Sequence, residues 1–220
     1  MNHKELLNVS EYPNVWLTSD LHFGHKNIIK YCNRPYSTVE EMNRAMVTSW
    51  NSKVEPDDLV INLGDFAFLP QEQILAYIDQ LKGHKMLIRG NHDSLFKLKG
   101  LFDKGIYEYL ELKRGSAVYV LSHYPILSWN GKYHGIAHLH GHTHGTLDNA
   151  GELRFDMGID VWKELISLDY MTQYIHRNKQ KILAKDHPPE HSRELHFKQL
   201  YERAIKDGTD GTDGTDGTSE

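Results

Sequence analysis

The chain of 220 residues contains a single cysteine, Cys32, so it cannot form an intrachain disulfide and carries no sign of an oxidising compartment. It also lacks any apolar run longer than a strand, and its polar first ten residues lack the apolar core of a signal peptide. These absences predict a cytoplasmic protein without a membrane span. The formal net charge is −5, which disfavours strong non-specific binding to duplex nucleic acid.

The composition that is present is typical of a globular enzyme with one domain and a short appendage. Hydrophobic residues make up 39% of the chain and charged residues 25%, which is enough apolar material for a sizeable core. We predict one domain over residues 1–186, a helical extension over 187–206 after Pro188-Pro189, and a disordered tail of Asp-Gly-Thr repeats over 207–220.

Apolar periodicity predicts strands that alternate with helices in the first half of the chain and a strand-rich second half. Strands are expected over residues 15–19, 59–63, 86–88, 107–112, 118–121, 137–139 and 153–157. Helices are expected over residues 38–50 (capped by Ser37), 70–81 and 167–175. This order predicts an α/β fold with two packed sheets and helices outside them.

Short motifs rich in histidine and aspartate follow the predicted strands. In chain order they are Asp20-Leu21-His22, Gly64-Asp65, Gly90-Asn91-His92-Asp93, His123 and Gly141-His142-Thr143-His144. Ligand sites in open α/β sheets lie beyond the carboxyl ends of the strands, so we expect the motifs to meet there. Of the histidines at 134, 138 and 140 beside the last motif, some are expected to be bystanders.

The motifs offer carboxylate, amide and imidazole donors and no thiolate, a set that suits two adjacent divalent ions. Nitrogen and oxygen donors fit manganese, iron, zinc, cobalt or nickel, of which we favour manganese. Asp65 can bridge two ions through its two carboxylate oxygens. Since two dications carry four positive charges and only Asp20 and Asp65 are anionic, the site keeps a positive charge that attracts an anionic substrate.

As a complete ordered set, these motifs resemble those of the calcineurin-like metallophosphoesterase superfamily, over roughly residues 14–160. The resemblance implies a four-layer α/β/β/α sandwich with two mixed sheets, in which a hydroxide shared by two ions attacks phosphorus. It also implies a first metal position made by Asp20, His22, Asp65 and His144. The second metal position would be made by Asp65, Asn91, His123 and His142.

The same resemblance assigns catalytic roles to the two residues that follow Asn91. His92 matches the histidine that lies near the leaving group or a phosphoryl oxygen, and Asp93 is expected to orient it. Residues 20–29 and 158–162 resemble a branch of small prokaryotic and phage-type phosphoesterases. The chain lacks the arginine that follows the shared aspartate in protein serine/threonine phosphatases, and the metal-binding tyrosine of purple acid phosphatases.

We therefore predict a metal-dependent phosphohydrolase that acts on a small phosphoester substrate, with a nucleotide as one option. A nuclease that acts on DNA or RNA ends is an alternative, although the acidic charge does not favour nucleic acid. A non-catalytic binding scaffold of the same fold is a second alternative. The sequence leaves the oligomeric state open.

Several further residues have both a functional and a structural interpretation. His25, Asn27 and Arg34 could line the substrate pocket, with Arg34 as a phosphate fork, or could serve the fold alone. Phe66 and Phe68 are predicted to pack in the core rather than to stack on a base.

The remaining candidates are interpreted in the same two ways. Cys32 is predicted to be a small buried residue, and Arg89 a partner in a structural ion pair. An aromatic wall for a nucleoside and ordinary packing explain three other residues equally well, namely Tyr124, Trp129 and Tyr133.

Overall fold

The computed structural model describes residues 6–148 and 152–183. Most of the predicted domain over residues 1–186 lies within these ranges. The predicted extension over 187–206 and the predicted tail over 207–220 lie outside the described residues. Within the described ranges, no helix combines the length and the apolar character that crossing a bilayer requires.

The described chain forms strands and helices that alternate in its first half. The strands are β1 (Leu6–Asn8), β2 (Val15–Thr18), β3 (Leu59–Asn62), β4 (His84–Ile88), β5 (Ile106–Tyr107), β6 (Tyr109–Arg114), β7 (Ala117–Ser122), β8 (Ala137–His140), β9 (Arg154–Asp156) and β10 (Ile166–Ser167). The helices are α1 (Ile28–Tyr31), α2 (Val39–Lys53), α3 (Gln71–Ile78), α4 (Leu95–Leu98), α5 (Ile159–Trp162) and α6 (Leu168–Leu183), with a 3-10 turn at Lys132–His134.

The strands form two five-stranded sheets, and both are mixed. The first sheet has the order β1-β6-β7-β8-β9, in which only β6 and β7 are antiparallel neighbours. The second has the order β10-β2-β3-β4-β5, in which only β10 and β2 are antiparallel. The predicted α/β class with two mixed sheets is therefore confirmed.

The main core lies between the two sheets, and a second core lies between the second sheet and its helices. In β3, Leu59 and Ile61 belong to the core between the sheets, whereas Val60 belongs to the core beneath the helices. Adjacent residues of a strand point to opposite faces, so β3 is buried on both sides and reads as a continuous apolar run.

Helix α2 shows how the local sequence sets an element boundary. Its N-cap is Thr38, whose Oγ1 accepts a hydrogen bond from the Glu41 amide at 3.1 Å, and not Ser37 as predicted. The Ser37 amide donates instead to Glu41 Oε2 at 2.8 Å, so both residues hold the first turn. Met42, Met46 and Trp50, at helical spacing, form the buried face.

Other boundaries differ from the predictions where tertiary contacts override periodicity. Helix α3 ends at Ile78 rather than at 81, and α6 extends to Leu183, beyond the predicted end at 175. Strand β4 begins at His84 because that amide donates to the Asp58 carbonyl of the neighbouring segment at 2.7 Å. Strands β5 and β10 have two residues each, too few for a periodic signal.

Candidate metal centre

The motif residues lie directly after strands that run in the same direction within each sheet. Asp20, Asp65 and Asn91 follow the parallel strands β2, β3 and β4 of the second sheet. His123 and His142 follow the parallel strands β7 and β8 of the first sheet. The carboxyl ends of these strands meet at one edge, so the structure brings the distant motifs into one cluster.

Asp65 lies at the middle of this cluster. Its Oδ2 atom is 3.6 Å from His22 Nε2 and 3.6 Å from His123 Nε2, and it is 3.9 Å from His92 Nε2. Its Oδ1 atom accepts a hydrogen bond from the His92 amide at 2.9 Å. One carboxylate oxygen therefore faces ring nitrogens of histidines that follow strands of both sheets.

The residues that the family resemblance assigns to a first metal position lie close enough together to hold a cation. Ligand atoms of Asp20, His22 and His144 lie within 4.8 Å of one another, and His144 Nε2 is 3.9 Å from Asp20 Oδ1. His22 Nε2 is buried and lacks a hydrogen-bond partner among the described residues. A buried imidazole nitrogen that faces carboxylate oxygens and is otherwise unsatisfied suits a metal ion.

The residues of the second metal position are equally close together. Asn91 Oδ1 lies 3.0 Å from His123 Nε2 and 3.0 Å from His142 Nδ1. Asp65 and His123 are also close to Asp20, which belongs to the first set, and ligand atoms of these three residues lie within 4.8 Å of one another. The donors on this side are neutral except for the shared Asp65, so its nitrogen and oxygen set fits a borderline divalent ion.

The backbone is strained at most of the candidate ligands. Among the described residues, left-handed φ angles occur at seven non-glycine positions, and five of these are candidate ligands, namely Asp20, His22, Asp65, His142 and His144. Such conformations cost about 1 kcal/mol or more for a side chain with a Cβ and persist only where the surrounding structure enforces them. Their concentration here indicates a functional site.

Close backbone approach makes glycine necessary beside the cluster. A Cβ on Gly90 would lie 2.2 Å from Asp65 Oδ1, and a Cβ on Gly64 would lie 2.3 Å from His123 Nδ1. Gly64 also has a φ of +107°, which a residue with a side chain rarely adopts. The absence of a Cβ at Gly64 and Gly90 therefore leaves room for the side chains of His123 and Asp65.

Asp93 has a different role from the predicted one. Its Oδ2 accepts hydrogen bonds from the amides of Asp65 at 2.8 Å and Gly90 at 2.9 Å, and its Oδ1 accepts from the Phe66 amide at 3.0 Å. The carboxylate thus fixes the loop that carries Asp65 rather than the ring of His92. Burial raises its pKa although the three amides act in the opposite direction.

Two further carboxylates hold the histidine loop, and the sequence reasoning did not single out either of them. Asp156 Oδ2 accepts from Thr143 Oγ1 at 2.6 Å and from the Gly145 amide at 2.8 Å. Asp160 Oδ2 accepts from His144 Nδ1 at 2.7 Å. The available signal for Asp160 was its place in the run 158–162, which the family resemblance already included.

In two other candidate ligands, His123 and His22, the Nδ1 atom is also paired. His123 Nδ1 donates to the Leu63 carbonyl at 2.8 Å, a bond that crosses between the sheets. His22 Nδ1 lies 3.3 Å from His25 Nδ1, so one of these rings donates to the other. These contacts orient the opposite nitrogen, Nε2, toward Asp65.

The pKa shifts of the residues assigned to the first metal position favour the binding of a cation. Burial raises the pKa of Asp20 to about 7 and lowers the pKa of His22 to about 2. For His144, burial lowers the pKa, but the hydrogen bond to Asp160 and the charge of Asp20 outweigh it and raise the pKa. A buried carboxyl group that ionises with difficulty gains strongly from a bound dication.

The substrate candidates occupy three different environments. His25 stacks on Phe68, with ring centroids 4.4 Å apart, beside the cluster, and Asn27 is exposed at the start of α1. Arg34 is buried, and its guanidinium group contacts Asp160 and two backbone carbonyls. These contacts favour the structural interpretation of Arg34 over the phosphate fork.

The aromatic candidates also differ in how far they are exposed. Phe66 is fully buried in the core, as predicted, whereas Phe68 is 46% exposed and its ring lies 4.7 Å from that of His92. The prediction that Phe68 packs in the core is therefore wrong, because its side chain is directed to the open edge of the sheet. Tyr124 is 49% exposed and contacts His142, with ring centroids 4.7 Å apart.

The other candidates fit structural roles. Trp129 is buried and its Nε1 donates to the Ile136 carbonyl at 2.8 Å, whereas Tyr133 is exposed. Arg89 forms the predicted ion pair, with Nε 2.6 Å from Glu108 Oε1. Cys32 is half-buried rather than buried, and burial raises the pKa of its thiol to about 11, which keeps the thiol protonated.

Comparison with known families identifies a match over most of the chain. The profile of the calcineurin-like phosphoesterase family matches residues 13–208. An uncharacterised protein of Methanocaldococcus jannaschii is 33% identical over 174 residues, which cover 75% of this chain and 93% of that protein. The gene 66 protein of Mycobacterium phage L5 is 30% identical over 190 residues, which cover 71% of this chain and 91% of that protein.

A solved structure shares the fold. A protein of unknown function from Aquifex aeolicus superimposes with a TM-score of 0.61 at 24% identity, and the superposition covers 74% of this chain and 99% of that protein. At this identity the likeness concerns the arrangement of sheets and helices alone.

Proposed function

This chain belongs to the calcineurin-like phosphoesterase family, and we propose that it hydrolyses a small phosphoester with a binuclear metal centre. The observation that carries the proposal is the convergence of side chains from five strand ends on one cluster, in which Asp65 Oδ2 lies 3.6 Å from both His22 Nε2 and His123 Nε2. Seven residues supply oxygen or nitrogen donors there, namely Asp20, His22, Asp65, Asn91, His123, His142 and His144.

Charge supports an anionic substrate. When two divalent ions are bound, they lower the pKa of water and neutralise charge that develops on phosphoryl oxygens. Asp20 and Asp65 compensate only part of the four positive charges, so the loaded site attracts phosphate groups. Because the ligands are held by buried contacts, the site needs little reorganisation when the substrate binds.

We propose that His92 acts on the leaving group. Its ring is 39% exposed on the open side of the cluster, with Nε2 3.9 Å from Asp65 Oδ2, and its backbone is fixed by the bond to Asp65 Oδ1. A partly exposed imidazole at this position can give a proton to a departing oxygen or donate a hydrogen bond to a phosphoryl oxygen. Such a role requires no direct contact between His92 and a metal ion.

A pocket beside His92 suggests what the leaving group carries. The pocket has a volume of about 240 Å³, and its walls include Phe68, Leu69, Ile74 and Lys97. This volume suits one compact planar group, and the exposed face of Phe68 offers a surface for stacking. The proposed substrate is therefore a small phosphomonoester or phosphodiester with a planar substituent, such as a nucleotide.

A second candidate function, cleavage of single-stranded nucleic acid ends, is favoured by Tyr124. This exposed ring contacts His142 and His123, which belong to the second metal position, whereas Phe68 contacts His22, which belongs to the first. Two exposed aromatic rings on different sides of the centre could stack on successive bases. The net charge of −5 weakens this alternative, because strand binding relies on cationic contacts.

The experiment that tests the proposal compares classes of substrate on the Mn²⁺-loaded protein. An aryl phosphomonoester, an aryl phosphodiester, a cyclic nucleotide and a single-stranded oligonucleotide are assayed with wild type, Asp65→Asn and His92→Ala. Asp65→Asn should lower kcat/KM by at least about a thousandfold because it weakens both metal positions. His92→Ala should lower kcat by about a hundredfold or more and leave the metal content unchanged.

The metal content, measured by elemental analysis, separates the outcomes. If wild type binds two equivalents of Mn²⁺ and hydrolyses none of these substrates, the non-catalytic scaffold becomes the better hypothesis. If His92→Ala loses metal as Asp65→Asn does, the role assigned to His92 is wrong. Preference for the oligonucleotide over the small esters would support the nuclease.

A further inference from the structure

A buried ion pair lies behind the first metal position. Arg34 Nε is 2.8 Å from Asp160 Oδ1, and Arg34 Nη2 is 2.7 Å from Asp160 Oδ2, which is a bidentate geometry. Both side chains are only 5% exposed. The two residues are 126 positions apart in the sequence, so the pair joins distant segments of the chain.

The carboxylate side of the pair reaches a candidate ligand. Asp160 Oδ2 also accepts a hydrogen bond from His144 Nδ1 at 2.7 Å. With the proton on Nδ1, the Nε2 atom of His144 keeps its lone pair, and it lies 3.9 Å from Asp20 Oδ1. The contact therefore sets both the tautomer and the direction of the ring.

The guanidinium side of the pair reaches the other ligand loop. Arg34 Nη2 donates to the Asp20 carbonyl at 2.7 Å, and Arg34 Nη1 donates to the Leu21 carbonyl at 2.9 Å. These carbonyls lie between the ligands Asp20 and His22, whose φ angles are +58° and +54°. Two hydrogen bonds to consecutive carbonyls hold a backbone that would otherwise relax from this strained conformation.

We propose that Arg34 and Asp160 are positioning residues that lock the Asp20-Leu21-His22 loop and the His144 ring together, and so set the cation affinity of the first metal position. The inference rests on the proposed function, because it presumes that these ligands hold a metal ion. The second metal position uses other supports, such as the bond from His123 Nδ1 to the Leu63 carbonyl.

A second ion pair in the chain has the same chemistry without contact to a ligand loop. Arg114 Nε is 2.7 Å from Asp169 Oδ1, and Arg114 Nη2 is 3.0 Å from Asp169 Oδ2. This guanidinium group also donates to backbone carbonyls, those of Val9, Tyr12 and Pro13. The Arg114–Asp169 pair, whose side chains are 15% and 55% exposed, is therefore a more exposed control for the loss of a bidentate pair that also holds a loop.

Isothermal titration with Mn²⁺ tests the proposal on the full chain, with Asp160→Asn, Arg34→Lys and the control Asp169→Asn. Loss of a carboxylate that orients a metal-bound histidine weakens metal binding by about 10-fold to 100-fold in general. We expect Asp160→Asn and Arg34→Lys to weaken one of the two Mn²⁺ sites by a factor in this range and to leave the other unchanged. Asp169→Asn should leave both unchanged.

A spectroscopic measurement on the metal-free protein separates positioning from a general structural effect. At a pH high enough for the ring of His144 to be neutral, ¹⁵N NMR of the wild type should show its remaining proton on Nδ1. In Asp160→Asn the accepting oxygen is neutral, so the Nδ1-protonated fraction should fall, while the signals of His123 stay where they are. Cys32→Ala, which removes the longer contact of 3.3 Å between Sγ and His144 Nδ1, should leave the tautomer unchanged.

The outcomes are distinguishable. If wild type binds no Mn²⁺, the proposed function fails and this inference fails with it. If wild type binds two ions and Asp160→Asn weakens both sites equally or neither site, only the positioning role is wrong. The role is also wrong if Asp169→Asn weakens Mn²⁺ binding as much as Asp160→Asn does. If Asp160→Asn does not fold, the Mn²⁺ affinities of Arg34→Lys provide the same test.

Discussion

Strand β8 and the loop after it carry histidines at the same spacing, yet the two pairs have opposite environments. His138 and His140 lie in the strand and are fully buried, with 0% exposure. His142 is exposed and His144 is half-buried in the loop. Four alternating histidines would all point the same way in a continued strand, so the change of environment requires a change of backbone.

Backbone hydrogen bonds satisfy both ring nitrogens of His138 but only Nδ1 of His140, whose buried Nε2 has no partner among the described residues. His138 Nδ1 donates to the Val120 carbonyl at 3.1 Å, and its Nε2 accepts from the Ile126 amide at 3.3 Å. His140 Nδ1 donates to the Gly141 carbonyl at 2.8 Å. Burial lowers the pKa of His138 to about 4, so this ring is neutral at physiological pH and satisfied by its surroundings.

The loop pair differs because the backbone turns at each residue. His142 has a φ of +72° and His144 a φ of +48°, which ends the strand and directs both rings toward the ligands from the second sheet. His142 Nδ1 faces Asn91 Oδ1, and His144 Nε2 faces Asp20 Oδ1. Histidines at the same spacing are therefore buried in the core or directed into the candidate site, depending on the φ angle at each position.

The strongest test of this contrast is catalytic. His142→Ala and His144→Ala should each lower kcat/KM by about a thousandfold, because each removes a donor from one metal position. Steady-state kinetics and elemental analysis on the Mn²⁺-loaded protein measure this. His140→Gln, which keeps a polar group in the strand, is the control and should retain its metal. Retention of full metal content by His142→Ala would contradict its assignment as a ligand.

The free energy of unfolding should depend more on the buried histidines of the strand than on the histidines of the loop. His138→Ala removes a buried ring and leaves the Ile126 amide without its partner, so the free energy of unfolding should fall by about 2–4 kcal/mol. Urea denaturation of the metal-free protein measures this change. His144→Ala is the comparison and should cost less, because its ring is half-buried. An equal loss in both variants would remove the distinction between core and site.

The pH dependence of metal binding sharpens the contrast. Burial raises the pKa of Asp20 to about 7, and the partners of His144 raise its pKa, so both groups hold protons below neutrality that a metal ion must displace. Apparent Mn²⁺ affinity should therefore fall by about tenfold or more, about 1.4 kcal/mol, for each pH unit below 7. His138 contributes nothing to this pH dependence near neutrality, because its pKa is about 4.

Titration calorimetry in two buffers of different ionisation enthalpy counts the protons that Mn²⁺ releases. At pH 6 release of at least one proton is expected, and the number should decline as the pH rises through 8. Asp20→Asn should lower the count. Affinity that stays constant between pH 6 and pH 8 would contradict the assignment of Asp20 to the first metal position.

The smallest expected effect concerns backbone strain. His142→Gly should raise the free energy of unfolding of the metal-free protein by about 1 kcal/mol, because glycine adopts a φ of +72° without a Cβ clash. His138→Gly, at a regular strand position, should lower it. Thermal unfolding of both variants measures the signs. Destabilisation by both would show that His142 is not strained.

The family motifs and the regular strands were predictable, because both depend on short stretches of sequence. The apolar run at β3 and the position of Asp65 directly after it illustrate this. The positions of Phe68 and Asp93 were not predictable in the same way. Phe68 follows the fully buried Phe66 but points to the open edge, and Asp93 contacts the loop of Asp65 rather than the adjacent His92.

Residue type and local periodicity are enough to predict the order of the motifs, the kinds of donor atom they offer and the strands that precede them. The contacts of Asp160 and Arg34 with the candidate ligand loops, and the burial that raises the pKa of Asp20 to about 7, follow only from the three-dimensional fold. Those properties depend on contacts between segments up to 126 residues apart and on the exclusion of water, which no local pattern encodes.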